Sequence, residues 1–329
     1  MRYRSLGQHG PLVSAVGFGA MTLVTNVYDE VAAEDAEAAL LAAVDAGITL
    51  VDTADIYGDG YSERMIGRVL GARREEIVLA TKFGGNQGAD GQLLSGLGRP
   101  AYVRRALDAS LERLGTDHVE VYYLHRLDPT TPIEETVGAL AELVTAGKIG
   151  HIGLSEVSPA TLRRAHAVHP VAALQTEYSL FNRAPEDELL ATCAELGTAF
   201  VAYSPLGRGL LGGSVRGTAD LGPQDWRRGN PRFQPGNLGR NLTLVDALAA
   251  LAAEQGITTA QLALAWLLHR GTVPIPGTRR VPNVRANAAA ADLSLDEAVF
   301  QQLEKLVPPG SVAGAQADES YLAGIDTGR

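Results

Sequence analysis

Apolar and polar positions along this chain alternate between two kinds of segment. Short β-branched or apolar runs occur at 14–19 (SAVGFG), 48–54 (ITLVDTA), 76–82 (EIVLATK), 119–125 (VEVYYLH), 149–155 (IGHIGLS), 172–178 (AALQTEY), 199–205 (AFVAYSP) and 272–276 (TVPIP). Between them lie Ala- and Leu-rich amphipathic stretches with helical spacing at 34–46, 62–71, 100–114, 132–146, 159–168, 185–196, 243–255 and 258–269. Several start at Pro, Ser or Thr and stop at Gly47, Gly71, Gly115, Gly147 or Gly197, the usual capping asymmetry of helices. Near-continuously apolar strands joined by helices predict a parallel sheet buried on both faces. Eight such units in a chain of this size predict a closed (β/α)8 TIM barrel, with a doubly wound open sheet as the alternative. Two segments fall outside the repeat. Residues 2–14, with a Gly-Pro turn between alternating positions, read as a β-hairpin placed to cap the barrel bottom. Residues 207–239, rich in Gly, Pro and Arg, read as a long loop after strand seven, the kind that usually serves function. No shift of composition marks a second unit, so residues 1–329 are expected to form one barrel domain.

Composition changes this picture little. The 329 residues are 46% hydrophobic and 20% charged, enough for a large core. A formal charge of −10 with a pI near 5.2 argues against a general nucleic-acid-binding face. No apolar run approaches the roughly 20 residues that span a bilayer, and MRYRSLGQHG lacks the apolar core of a signal peptide, so a soluble cytoplasmic protein is expected. Cys193 is the single cysteine, which excludes an intrachain disulfide and a multi-cysteine zinc site.

The chemistry gathers where a barrel keeps it, at the C-terminal ends of the strands. Strand two ends in Asp52 and its loop carries Tyr57; strand three ends in Lys82, strand four in His125, strand five in Ser155, strand six in Gln175 and strand seven in Tyr203-Ser204. Lysine and histidine are uncommon at the tails of buried strands. Taken singly each has an ordinary structural explanation; together they form an acid–base device. An ammonium beside Tyr57 would stabilise its phenolate, Asp52 would hold Lys82 charged, and His125 could orient a substrate oxygen. Such a set suits protonation of oxygen as a carbonyl becomes an alcohol, and a cofactor must then supply the hydride. Asp52, Asp55 and Asp59 lack the spacing and closing Glu of a calcium loop, so no metal site is expected. GRGLLG at 207–212 matches G-x-G-x-x-G, but no helix follows to receive a pyrophosphate, and a Rossmann fold is rejected. PIPGTRRVPNVRAN at 274–287 offers a turn, two arginines and a helix beginning near Pro282, a place where barrels hold phosphate.

GFGAMTL, VDTADIYGDGYSE, ATKFG, YYLHRLDP, GKIGHIGLSEVS, QTEYSLFNR, AYSPLGRGLLGG and IPGTRRVPNV, in that order along nearly the whole chain, resemble the aldo-keto reductase superfamily. The resemblance implies a (β/α)8 barrel that binds a nicotinamide cofactor, NADPH rather than NADH, in extended form. It implies Asp52, Tyr57, Lys82 and His125 as the catalytic tetrad with Tyr57 the general acid. Ser155 and Gln175 would hold the carboxamide and Tyr203 would stack on the nicotinamide. Gly19 and Met21, together with Asp52, belong to the same implied contacts. Ser204, Pro205, Leu206, Gly207 and Gly209 would lie over the pyrophosphate, and Gly277, Thr278, Arg279, Asn283 and Asn287 would hold the adenosine-phosphate end. The chain departs from the pattern at Glu156, where many members have Asn. This GLSE form resembles a branch that includes pyridoxal reductases and aryl-alcohol-dehydrogenase-like enzymes. It departs again at Ala286, where a Glu usually precedes the residue matching Asn287. The implied partner is a small carbonyl compound. Two other functions remain open from the sequence: a Schiff-base lyase using Lys82, and a non-catalytic module that senses NADPH, as the family's potassium-channel β subunits illustrate. Loops 20–31, 84–99, 126–131 and 207–239 would shape the pocket, with Tyr28, Arg126 and Phe233 as candidate lining residues.

Overall fold

Among the described residues the chain forms ten strands, most of them buried: β1 (Tyr3–Ser5), β2 (Leu12–Ser14), β3 (Phe18–Gly19), β4 (Leu50–Asp52), β5 (Val78–Phe83), β6 (Val119–Leu124), β7 (Ile149–Ser155), β8 (Val171–Glu177), β9 (Ala199–Tyr203) and β10 (Val273–Pro274). The computed structural model describes residues 1–25, 27–85 and 93–328. β3 to β10 pair in parallel in chain order, with helices between them. The sheet closes because Gly17 N donates to Pro274 O at 2.9 Å and Gly19 N donates to Pro276 O at 3.5 Å. The protein is a (β/α)8 barrel. Its closing strands are short for a covalent reason: Pro274 and Pro276 have no N–H, so β10 can only accept across the seam. Little room is left there, since a Cβ on Gly277 would come within 2.4 Å of the Gly19 carbonyl oxygen.

The barrel interior is filled by Leu50, Ala80, Val121, Tyr123, Ala173, Val201 and Val273. Gly153 makes room for the Tyr123 ring, whose Cδ1 a Cβ would meet at 2.3 Å. β1 and β2 form the antiparallel hairpin, with Tyr3 opposite Ser14. Its Leu6 and Val13 pack into the interior cluster and plug the floor. A larger cluster, including Leu40, Ile66, Leu107, Leu140, Leu162 and Trp266, lies between sheet and helices.

Three boundaries depart from the sequence reading. The run at 14–19 divides, Leu12–Ser14 joining the hairpin and only Phe18–Gly19 the sheet. The helix expected at 185–196 breaks into a 3₁₀ turn at Ala184–Glu186 and a helix at Leu189–Leu196. The loop expected at 207–239 is shorter and more ordered. It carries four 3₁₀ turns and ends at Gln234, because Pro235, a favoured first helical residue, starts a helix that runs to Glu254. The segment lies against the loop after β3, where a Cβ on Gly222 would collide with Asp29 Oδ2 at 1.9 Å.

Candidate active site

At the C-terminal mouth of the barrel, strand ends and loops enclose a cavity of about 630 Å³. Its floor is built from strand termini in register: Asp52 pairs with Ala80, and Ser155 with Gln175. Lys82 Nζ lies 2.5 Å from Asp52 Oδ1, 2.8 Å from the Thr53 carbonyl oxygen and 3.4 Å from the Tyr57 hydroxyl. The other Asp52 oxygen accepts from Gln175 Nε2 at 2.8 Å. Lys82 is fully buried and stands behind the cavity wall rather than in it, whereas Asp52, Tyr57 and His125 line it. The Tyr57 and His125 rings meet edge to face with centroids 6.0 Å apart.

The loop carrying Tyr57 is tied from behind. Thr53 Oγ1 donates to Ser62 Oγ at 2.8 Å, and Asp55 N donates to Lys82 O at 3.1 Å. Buried Glu63 accepts from Thr81 Oγ1 and from Arg113 Nε, both at 2.6 Å. Asp59 adopts positive φ in the turn, which Asp tolerates better than most residues. Thus VDTADIYGDGYSE contributes an inward carboxylate, a cavity-facing phenol and a buried anchor. Among the described residues no three His, Cys, Asp or Glu side chains come together in a way that could hold a metal ion.

Burial dominates the protonation states. It pushes the Lys82 ammonium down, but Asp52 and Tyr57 outweigh it and leave Lys82 above its ordinary pKa. Burial raises the Asp52 carboxyl against the pull of Lys82 and Gln175. Tyr57 departs from expectation: burial raises its phenol more than Lys82 lowers it, so it holds its proton throughout the neutral range. Burial, Arg126 and Lys82 push His125 well below the ordinary histidine range, so the imidazole is neutral. Its Nδ1 is buried without a partner, leaving Nε2 as the nitrogen open to the cavity.

Of the other residues singled out in the sequence, Gly19, Met21, Ser155, Gln175, Tyr203, Ser204, Pro205, Leu206, Gly209, Gly277, Thr278, Arg279 and Asn283 line the cavity. Gly207 and Asn287 do not; both are buried behind it. Phe233 is core, 1% exposed, whereas Tyr28 and Arg126 line the wall. The helix after β10 starts at Val281, not Pro282, and its N-cap, Arg280, makes no side-chain cap bond; Pro282 has no N–H and Asn283 N donates to Arg280 O at 2.9 Å, which leaves the Val281 amide to a ligand. Ser204, Gly207, Arg208 and Gly209 all take positive φ, and Gly207 N and Gly209 N donate within the turn, to Ser204 O at 2.9 Å and Leu206 O at 3.0 Å. The buried hydroxyl of Thr22 lines the same cavity and has no partner among the described residues. The Thr22 hydroxyl, the Val281 amide and the cations of Arg279 and Arg280 fit an elongated, phosphate-bearing molecule.

The sequence reading missed the roof. Arg208 stacks on Trp226 with 4.6 Å from guanidinium to ring centroid, Trp226 meets Tyr28 at 6.2 Å, and Arg227 covers Tyr28 at 4.5 Å. It also missed Tyr321, from a short helix at Glu319–Ala323. Its hydroxyl lies 3.0 Å from that of Tyr203. Asp326 pins this terminal segment down by accepting from Ser158 N at 3.0 Å and Ser158 Oγ at 2.9 Å.

Residues 15–308 match the pattern of the Aldo/keto reductase family. The chain belongs to that family. "Probable aldo-keto reductase 1" of Glycine max is 42% identical over 326 residues, covering 98% of this chain and 92% of the relative. Among solved structures, the thermostable aldo-keto reductase Tm1743, crystallised with the inhibitor epalrestat, aligns with a TM-score of 0.75 and 30% identity over 93% of this chain and all of its own. The glycerol dehydrogenase AKR11B4 of Gluconobacter oxydans aligns with a TM-score of 0.81 and 28% identity over 93% of this chain and 96% of its own. With the family comes the class of enzyme, an NAD(P)H-dependent oxidoreductase. Among the described residues no helix is long and apolar enough to cross a membrane.

Proposed function

We propose that this aldo-keto reductase is a cytoplasmic, NADPH-dependent enzyme that reduces aldehydes or ketones to alcohols, with Tyr57 as general acid. The observation that carries the reading is the contact chain from Asp52 through Lys82 to the Tyr57 hydroxyl, with neutral His125 against the Tyr57 ring. A nicotinamide held by these residues would supply the hydride to the carbonyl carbon. Tyr57, protonated at neutral pH, delivers its proton to the carbonyl oxygen, and the Lys82 ammonium 3.4 Å away stabilises the phenolate left behind. Asp52 keeps that ammonium charged and fixed. His125 donates from Nε2 to the same carbonyl oxygen and orients it. Ser155 and Gln175 would hold the carboxamide, Tyr203 the nicotinamide face, the turn at 204–209 the pyrophosphate, and Thr278, Arg279 and Asn283 the adenosine phosphate.

The preference for NADPH rests on the Arg279-Arg280 pair at the far end of the cavity, two guanidinium groups suited to a 2′-phosphate. A Schiff-base role for Lys82 is disfavoured, because it is fully buried, outside the cavity lining and held as an ammonium, which is not nucleophilic. The test is oxidation of NADPH, with NADH in parallel, across a panel of aldehydes, ketones, sugars and pyridoxal. Turnover with a higher kcat/KM for NADPH is expected. Tight NADPH binding without any turnover would favour a sensing module, and equal kcat/KM for the two cofactors would remove the NADP assignment.

A further inference from the structure

One cation of the cavity wall, half-buried Arg126, is used neither by the tetrad nor by an ion pair. Arg126 follows His125 directly out of β6 and lines the same wall. Its guanidinium has five N–H groups. Nη1 donates to the His125 carbonyl oxygen at 2.9 Å and to Ser155 Oγ at 3.3 Å, and Nη2 donates to the Tyr321 hydroxyl at 2.8 Å. All three acceptors are neutral. The other arginines around the cavity roof are paired: Arg208 and Arg232 share Glu177 at 2.7 and 3.2 Å, and Arg227 holds Asp225 at 2.6 Å. Glu156 acts on Arg126 only through its field, and its Oε1 accepts the Glu177 amide at 3.0 Å instead. Three guanidinium groups, Arg126, Arg208 and Arg232, therefore face two carboxylates, Glu156 and Glu177.

A charge withdrawn from water without a partner is costly unless a counter-ion arrives. Among the described residues two of the Arg126 N–H groups have no acceptor, and they lie beside the residues that would hold a carbonyl oxygen. We propose that Arg126 is a specificity-determining residue that binds the anionic group of the substrate, so that the enzyme prefers carbonyl compounds carrying a carboxylate or phosphate near the reacting carbon. The fork geometry of arginine suits either group, because both present two oxygens to parallel N–H donors. The Tyr321 hydroxyl covers Nη2 until such an oxygen takes its place or joins it. This inference rests on the carbonyl-reduction reading above.

The test uses matched pairs in the full-length enzyme: 4-carboxybenzaldehyde against methyl 4-formylbenzoate, and glyceraldehyde 3-phosphate against glyceraldehyde, each followed as NADPH oxidation at low ionic strength. Wild type is expected to favour the charged member of at least one pair by tenfold or more in kcat/KM, and the pair that does so identifies carboxylate or phosphate. In Arg126→Gln that ratio is expected to fall at least tenfold, and in Arg126→Lys, which keeps the charge without the fork, to fall to an intermediate value. Ratios near one in wild type with the neutral compounds still reduced overturn the inference and leave carbonyl reduction standing. If none of the four is reduced, the carbonyl-reduction reading fails, and calorimetric titration with benzoate and with inorganic phosphate decides the anion site by itself. Binding that disappears in Arg126→Gln supports it; no binding to wild type, or binding unchanged by the substitution, overturns it. Should Arg126→Gln fail to fold, the wild-type titration and Arg126→Lys decide.

Discussion

The two ends of the cavity are built on opposite principles. At the tetrad end, Asp52 and Lys82 are strand-terminal residues whose positions follow from sheet register, and every polar atom of the pair is bonded to a neighbour. At the Arg279 end, the cations stand on a turn and an exposed helix start; among the described residues Arg279 bonds only the Glu30 carbonyl oxygen, at 2.8 Å, and Arg280 is exposed. The first end is preorganised and dry, where a charge interacts strongly and a missing partner is costly. The second is wet and adjustable, where a charge adds affinity and selectivity in modest increments. Chemistry needs the former and cofactor discrimination can use the latter.

Substitutions should separate the two ends by size of effect. Lys82→Met removes the partner of a fully buried carboxylate, so a loss of about 3–5 kcal/mol in unfolding free energy is expected, with loss of turnover. A denaturation midpoint close to wild type would show that Asp52 does not depend on the pair. Arg279→Ala should instead leave the melting temperature nearly unchanged. It should raise the KM for NADPH by about 10- to 100-fold, worth about 1.4–3 kcal/mol, and leave that for NADH almost untouched. An equal rise for both cofactors would mean that Arg279 does not read the 2′-phosphate.

The smallest effect concerns Asp55, behind the tetrad. Burial, then Glu63, raises its carboxyl to about 7, and its buried Oδ1 has no partner among the described residues. A carboxyl with a folded pKa above its unfolded value binds its proton more tightly in the folded state. Its favourable contribution is therefore complete below about 3.8 and is lost as pH rises toward about 7. Asp55→Asn should melt above wild type at pH 8, by something on the order of 1–2 kcal/mol, and the gap should close on the way to pH 4. A gap independent of pH would remove the titration from the account.

The contrast between the ends also explains what could be read from the sequence. Asp52, Lys82 and His125 announce themselves because a polar residue at the tail of an apolar run has few other reasons to be there, and strand register does the rest. The net protonation of Tyr57 cannot be read from the sequence, because its neighbour Lys82 is visible there but the depth of burial is not. The roof escaped for a related reason. Trp226 and Arg227 sit in a segment without periodicity, and Tyr321 reaches Tyr203 across 118 positions of chain, a distance no local pattern encodes. Pro235 did carry a helix-start signal, hidden by the glycines around it. Asn287 fell on the wrong side because a helix whose start is known only approximately leaves the facing of each residue uncertain by a turn's fraction.

The central claim is that Tyr57 is the proton donor. The most direct measurement is single-turnover reduction of a reactive aldehyde by Tyr57→Phe, alongside NADPH titration of the same protein. The account predicts NADPH affinity within a few-fold of wild type and a rate of the reduction step lower by about 10²–10⁴-fold. A rate within tenfold of wild type, with the cofactor bound normally, would contradict it and move the proton to another group.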